Sequence, residues 1–132
     1  MSKSKLSITK DLQPLLLKDA GLKKLVDGKI FPLYAPEDTD GDFVIYARTD
    51  YGSQLTMMGV ADEWCEVTYN AVSKVYLTSL AIAERIRAVL QDVTVDGEPI
   101  ILGKTREDFV GEGNQLRYVQ ILPFEIGKNT AE

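Results

Sequence analysis

From Glu63 to Ala71 the chain alternates: Cys65, Val67, Tyr69 and Ala71 are interleaved with Glu66, Thr68 and Asn70. A period of two puts the first set on one face of a strand, half buried against a core. The period then lengthens. Val75, Ile82, Ile86 and Val89, joined by Leu90, recur every three or four residues, while Lys74, Thr78, Arg85 and Ala88 lie on the other side. That spacing predicts a long amphipathic helix running to about Gln91, with Ser73 as its N-cap.

Upstream, Leu12, Leu15 and Leu16 mark the apolar side of a first helical piece. Asp19 stands where it would cap a second piece carrying Leu22, Leu25 and Val26, with Gly28 just past its end. The pattern fits two helices or one bent helix equally well. Ile30-Phe31-Pro32-Leu33 predicts a short extended piece, and Ala35 to Gly41 a loop. Phe43 to Ala47 predicts a strand that is apolar on both sides. Thr49 to Val60 carries Gly52 and Gly59 and no period, which predicts a mobile loop.

The C-terminal third predicts β structure. Asp96-Gly97 marks a turn, Ile100 to Phe109 a strand, Gly111 to Asn114 a hairpin connection, and Gln115 to Ile126 the return strand. Along that last strand Leu116, Tyr118, Leu122 and Phe124 point one way, and Val119 and Ile121 the other. A strand apolar on both faces needs two layers of cover, from helices on each side or from a neighbouring subunit. The fold class is α+β: a mostly antiparallel sheet, a long amphipathic helix packed across it, and short N-terminal helices. The chain is expected to be one domain with flexible ends at residues 1–10 and 127–132.

Composition narrows the function more than the fold. A chain of 132 residues, 45% hydrophobic, supports one core. A net charge of -5 argues against general affinity for nucleic acid or an anionic membrane. No apolar run is long enough to span a bilayer. One cysteine, Cys65, allows no internal disulfide, as expected of a protein made in the cytoplasm. Histidine is absent, which removes the commonest general acid–base and a common metal ligand.

The remaining candidates for chemistry have plainer readings. Cys65 sits on the core register of its strand with no histidine to activate it. Asp38, Asp40 and Asp42 alternate around Gly41, but Thr49 stands where a calcium loop starting at Asp38 needs its bidentate glutamate. Glu107 with Asp108, or Glu63 with Glu66, would be a carboxylate pair only if a cleft brought them together. Gly111-Glu112-Gly113 lacks the helix that a phosphate loop requires. Lys23, Lys24 and Lys29 form a weak basic cluster without interleaved aromatics. No catalytic, cofactor-binding or metal-binding residue is assigned, and no cofactor is expected. The loop carrying Tyr51, Leu55, Met57 and Met58 is either an interaction loop or a disordered one, and its adaptable apolar residues suit contacts better than catalysis. With Val119 and Ile121 these are the candidate interaction residues.

The order of elements carries a resemblance. Leu16-Leu17-Lys18-Asp19-Ala20-Gly21-Leu22 leads to Leu25-Val26-Asp27-Gly28-Lys29-Ile30-Phe31-Pro32, then to Ala35-Pro36 and Phe43-Val44-Ile45-Tyr46. The alternating strand later runs into Ala83-Glu84-Arg85-Ile86-Arg87-Ala88-Val89-Leu90. From about Leu12 to Phe124 this resembles the phage tail-completion or tail-terminator family, which includes the tail-to-head joining proteins of siphophages. The departures are Thr49 to Val60 and Ile100 to Phe109.

The resemblance implies a structural subunit, monomeric before assembly, that joins copies of itself in a ring, often hexameric, at the head-proximal end of the tail. Its partners would be the major tail protein and the head connector proteins, with no specific nucleic-acid binding and no membrane. Its place would be the virion, and the host cytoplasm during assembly. A net-negative lumen would let DNA pass without sticking. Two rivals stay open: another head–tail connector or tail-assembly component, and a small enzyme or ligand-binding domain with a deep polar-lined pocket.

Overall fold

The computed structural model describes residues 5–37, 39–55 and 61–127. In chain order it has α1 (Thr9–Lys18), α2 (Ala20–Val26), β1 (Ile30–Pro32), β2 (Phe43–Leu55), β3 (Ala61–Ser73), α3 (Tyr76–Gln91), β4 (Thr94–Val95), β5 (Glu98–Leu102), β6 (Arg106–Val110), a 3-10 turn (Gly113–Gln115) and β7 (Arg117–Ile126). The expected α+β class holds.

The alternating segment becomes the middle of the sheet. β3 pairs antiparallel with β2 on one side, from Phe43 opposite Val72 to Leu55 opposite Ala61. On its other side it pairs antiparallel with β7, from Ser73 opposite Tyr118 to Cys65 opposite Ile126. Around these three strands the order is β1-β2-β3-β7-β5-β4, with β6 also on β7. The β1–β2 pair is parallel and every other pair antiparallel.

One register of this sheet is buried: Val44 and Tyr46 of β2, Cys65, Val67, Tyr69 and Ala71 of β3, and Leu122, Phe124 and Ile126 of β7. They share a single core with Leu12 and Leu16 of α1, Leu22 and Val26 of α2, and Ile82, Ile86 and Leu90 of α3. The three described helices therefore cover the same face. Residues 5–10, expected to be flexible, carry contacts in the structure. Ile8 is fully buried, and Lys5 Nζ pairs with Glu98 at 2.6 Å.

Several expectations are corrected. The segment from Thr49 is a strand as far as Leu55, and β3 begins at Ala61, so the expected loop is mostly an antiparallel hairpin. It has no hydrophobic period because residues 48–50 and 53–55 are exposed. Without a core there is no burial pattern to read. The single strand expected from Ile100 to Phe109 is two strands on β7, broken at Gly103, whose N–H donates to Pro123 O at 2.7 Å. Ser73 does not cap α3 directly. Its Oγ accepts from Val75 N at 3.0 Å in the turn before it, and Val75, expected in the core stripe, is 56% exposed. The buried stripe of this 16-residue helix is Ser79, Ile82, Ala83, Ile86 and Leu90.

The helical N-terminus resolves into two helices, and Asp19 is the reason. Its carboxylate accepts from Leu22 N at 2.8 Å, capping α2. It also accepts from Arg85 Nε at 2.7 Å and Nη2 at 2.9 Å, tying α2 to α3. Gly21 leaves room for this arginine, since a Cβ there would lie 2.8 Å from Arg85 Cδ. The hydrogen bonds from Arg85 hold the Asp19 carboxyl below its ordinary value of 3.8. Asp19→Ala is expected to destabilise by about 1 kcal/mol, mostly through the lost cap. Asp19→Asn keeps the cap and should lose less, because the arginine is well exposed. A group with a depressed folded pKa adds stability above its unfolded pKa and loses it as pH falls through the folded value. The gap between wild type and Asp19→Asn in denaturant titrations should therefore close in acid. A gap that widens below pH 3.8 would contradict this role.

Candidate assembly surface

The face opposite the helices carries the other register of the strands. On β7 it presents Val119, Ile121, Pro123 and Glu125, all half buried, in alternation with buried Gln120, Leu122, Phe124 and Ile126. Cross-strand neighbours extend the patch. Val119 faces Val72 and Ile121 faces Asn70 on β3, and these face Phe43 and Ile45 on β2. Phe43 and Val72 are buried, with the Arg117 guanidinium 5.3 Å from the Phe43 ring centre. Polar residues flank the apolar centre, with Arg106 opposite Ile121, Asp108 opposite Val119, and Glu66 opposite Glu125.

No described helix packs on this face. Of the two kinds of cover that the last strand called for, helices on both sides are thus ruled out within the described residues. The middle of the second face is apolar, with Phe43 and Val72 buried and Ile45, Val119 and Ile121 half buried.

The hairpin presents a different surface. β7 reaches along β3 only to Cys65, so residues 52–55 and 61–64 project beyond it as a two-stranded arm. Tyr51 stands at its base and is not a free loop residue. It packs against the core, donates its hydroxyl to Glu63 at 2.6 Å, and lies under the Arg48 guanidinium. The hydrogen bond to that carboxylate raises the Tyr51 pKa. Leu55 is 73% exposed. Met57 and Met58 lie outside the described residues.

The arm also contains a residue that sequence reasoning missed. Trp64 lies opposite Gly52, and a Cβ at Gly52 would collide with the indole ring. The glycine makes room for the tryptophan to lie across the hairpin. Gly52→Ala should push the indole off. Trp64 is the chain's single tryptophan, so the emission of the whole protein should shift to the red. Unchanged emission would show that the ring does not rest on Gly52.

At the opposite end of the sheet, Val75, Tyr76 and Leu77 are exposed beside Phe109 and Val110. Tyr76 meets Tyr118 edge-on at 5.5 Å and donates its hydroxyl to Glu107 at 2.8 Å. Gln120 donates to Glu107 at 3.0 Å and to Ser79 at 3.2 Å. The bonds from Tyr76 and Gln120 hold the Glu107 carboxyl below its ordinary value. Between α3 and the β5–β6 break runs a cleft of about 460 Å³ lined by Leu80, Ala83, Leu102 and Leu122. Its rim residues Glu84 and Arg87 pair with each other at 3.3 Å.

The chemical candidates are not brought together. Cys65 is buried, and burial pushes its thiol up to about 11. Strand alternation sends Glu63 and Glu66 to opposite faces, and does the same to Glu107 and Asp108. Asp38 lies outside the described residues. Lys29 Nζ donates to the Asp40 carbonyl at 2.6 Å. Among the described residues no group of three acidic or cysteine side chains is placed to hold a metal ion, and no helix is long and apolar enough to cross a membrane.

No family model and no curated protein matches the sequence. The fold does have a counterpart among solved structures. It is similar to a chain of a structure titled "Virion of native gene transfer agent (GTA) particle", with a TM-score of 0.69 and 16% identity. The likeness covers 93% of this chain and 98% of that one. At that identity it is a likeness of fold.

Proposed function

We propose that this chain is a virion structural protein that completes a phage or prophage tail at its head-proximal end and joins it to the head, acting as a ring of identical subunits. The observation that carries the reading is the length of the fold likeness. It runs through nearly all of both chains, so most of the domain has a counterpart in a gene transfer agent virion.

Two features of the molecule support it. A sheet with helices on one face and a half-buried apolar strip at Ile45, Val119 and Ile121 on the other suits a subunit completed by its neighbours. In the cleft, Glu84 and Arg87 pair with each other and Gln120 is bonded to Ser79 and Glu107, which suits a structural part better than a catalytic one. In this reading the open face around Val119 and Ile121 is covered in the assembled particle, and the arm reaches a neighbouring subunit.

Gold labelling of a tagged chain in purified particles tests the position. Label at the head–tail junction is expected. Label along the tail shaft, on the head shell or on no particle would reject the reading. Label elsewhere in the connector would favour the rival assignment to another head–tail component.

A further inference from the structure

Several stretches lack a described strand on their outer side, and two of them lie at opposite sides of the sheet. On the β2 side, β1 pairs with residues 44–46 alone, and residues 51–55 run from the base of the projecting arm along one of its strands. On the other side, β6 pairs with β7 and with no other described strand, and all five of its residues are exposed. Two of the other described edges are short and meet proline, which discourages pairing with another chain. β1 is three residues long and ends at Pro32, and β4 has two residues, one of them opposite Pro99.

Polarity and charge make the two open stretches complementary. β2 is antiparallel to β3, β3 to β7, and β7 to β6, so β6 runs opposite to β2. A second copy set beside the first in the same orientation brings its β6 to the arm antiparallel, the more stable ladder. Residues 51–55 are Tyr, Gly, Ser, Gln and Leu. They are uncharged, so Arg106, Glu107 and Asp108 would meet no like charge across the ladder. Pairing β6 with itself about its centre would set Asp108 against Asp108, which is unfavourable.

We propose that copies of this chain join head to tail, β6 of one pairing with residues 51–55 of the next. The inference rests on the ring reading above and names the contact within it. Such a contact is heterologous and repeats around a closed ring. β6 lies level with Phe43 and Ile45 across the sheet, well short of the arm. Successive copies are therefore displaced along their strands, which run oblique to the ring axis as in closed barrels.

Disulfide trapping tests the contact. For the helix-covered faces of both copies to stay on one side, Ser53 must stand opposite Phe109 or Glu107. Two double variants, S53C/F109C and S53C/E107C, are oxidised at high protein concentration. Directly opposed strand residues are close enough for a disulfide. The native Cys65 is buried, and the wild-type chain is the control.

One double variant is expected to give a ladder of dimers, trimers and higher species. Each single-substitution variant should stay monomeric, and a mixture of the matching single variants should stop at dimers. Dimers from S53C alone would mean a two-fold contact between arms and overturn the proposal. So would the absence of crosslinks in every variant when the chain, monomeric before assembly, is concentrated enough for transient contacts to be trapped by oxidation. Trapping needs no particle, so it fails separately from the tail-completion reading. Without crosslinks, gold at the junction would still support tail completion.

Discussion

Phe124→Ala is expected to remove about 3–5 kcal/mol of stability, the range for truncating a large aromatic in a close-packed core. Phe124 is 2% exposed in β7, between Val67 of β3 and Leu102 of β5. Its ring meets Tyr69 edge-on at 5.8 Å, and Tyr69 lies 5.6 Å from Tyr46. These rings sit on the covered face of the three central strands. The surrounding backbone is held by ladders on both sides of β7, so the cavity cannot close by local collapse. Domains of this kind have ~5–15 kcal/mol in total, so the midpoint of denaturant unfolding should fall steeply. A loss below about 1 kcal/mol would be typical of a surface position and would contradict this packing.

Val119→Lys combined with Ile121→Glu is expected to leave the fold intact and abolish assembly. The pair is chosen so that the new lysine faces Asp108 and the new glutamate faces Arg106 across the β6–β7 ladder, where opposite charges are tolerated. Both positions are half buried on the open face, and the charged ends can reach water in the isolated chain. In an assembled particle they would be dehydrated. Burying a Val or Ile side chain contributes about 1.5–3 kcal/mol. Losing both should therefore weaken subunit association on the order of a hundredfold or more. Circular dichroism and thermal midpoint check the fold, and complementation of a gene deletion checks assembly. A variant that completes tails as well as wild type would show that this face is not a contact.

The parts of the fold legible in the sequence are those where burial writes a period. Cys65 to Ala71 and Ile82 to Leu90 face one core, and their spacing records it. Asp19 was legible because capping needs a particular side chain at one position. The arm was not legible. Arg48, Asp50 and Gln54 are exposed, and the device that orders its middle, Trp64 over Gly52, is a pair twelve residues apart with no periodic signature. The break after Leu102 was hidden for a similar reason, since it shows only in the register on β7, where Leu102 lies opposite Phe124 and Arg106 opposite Ile121.

The candidate surface was half legible. Val119 and Ile121 stood out because an apolar set on the second face of a strand demands cover. Which side the helices would take was not written there, because it depends on how the chain turns after β3. Val75, Tyr76, Leu77 and Phe109 could not be recognised as exposed, because an apolar residue at a helix start or on an edge strand looks the same in sequence whether covered or bare.

Electron microscopy of particles from a strain lacking this gene tests the central claim most directly. If the chain completes the tail, the preparation will contain heads without tails and free tails of uncontrolled length, and supplying the wild-type chain will restore joined particles. Normal, fully joined virions from the deletion strain would contradict it.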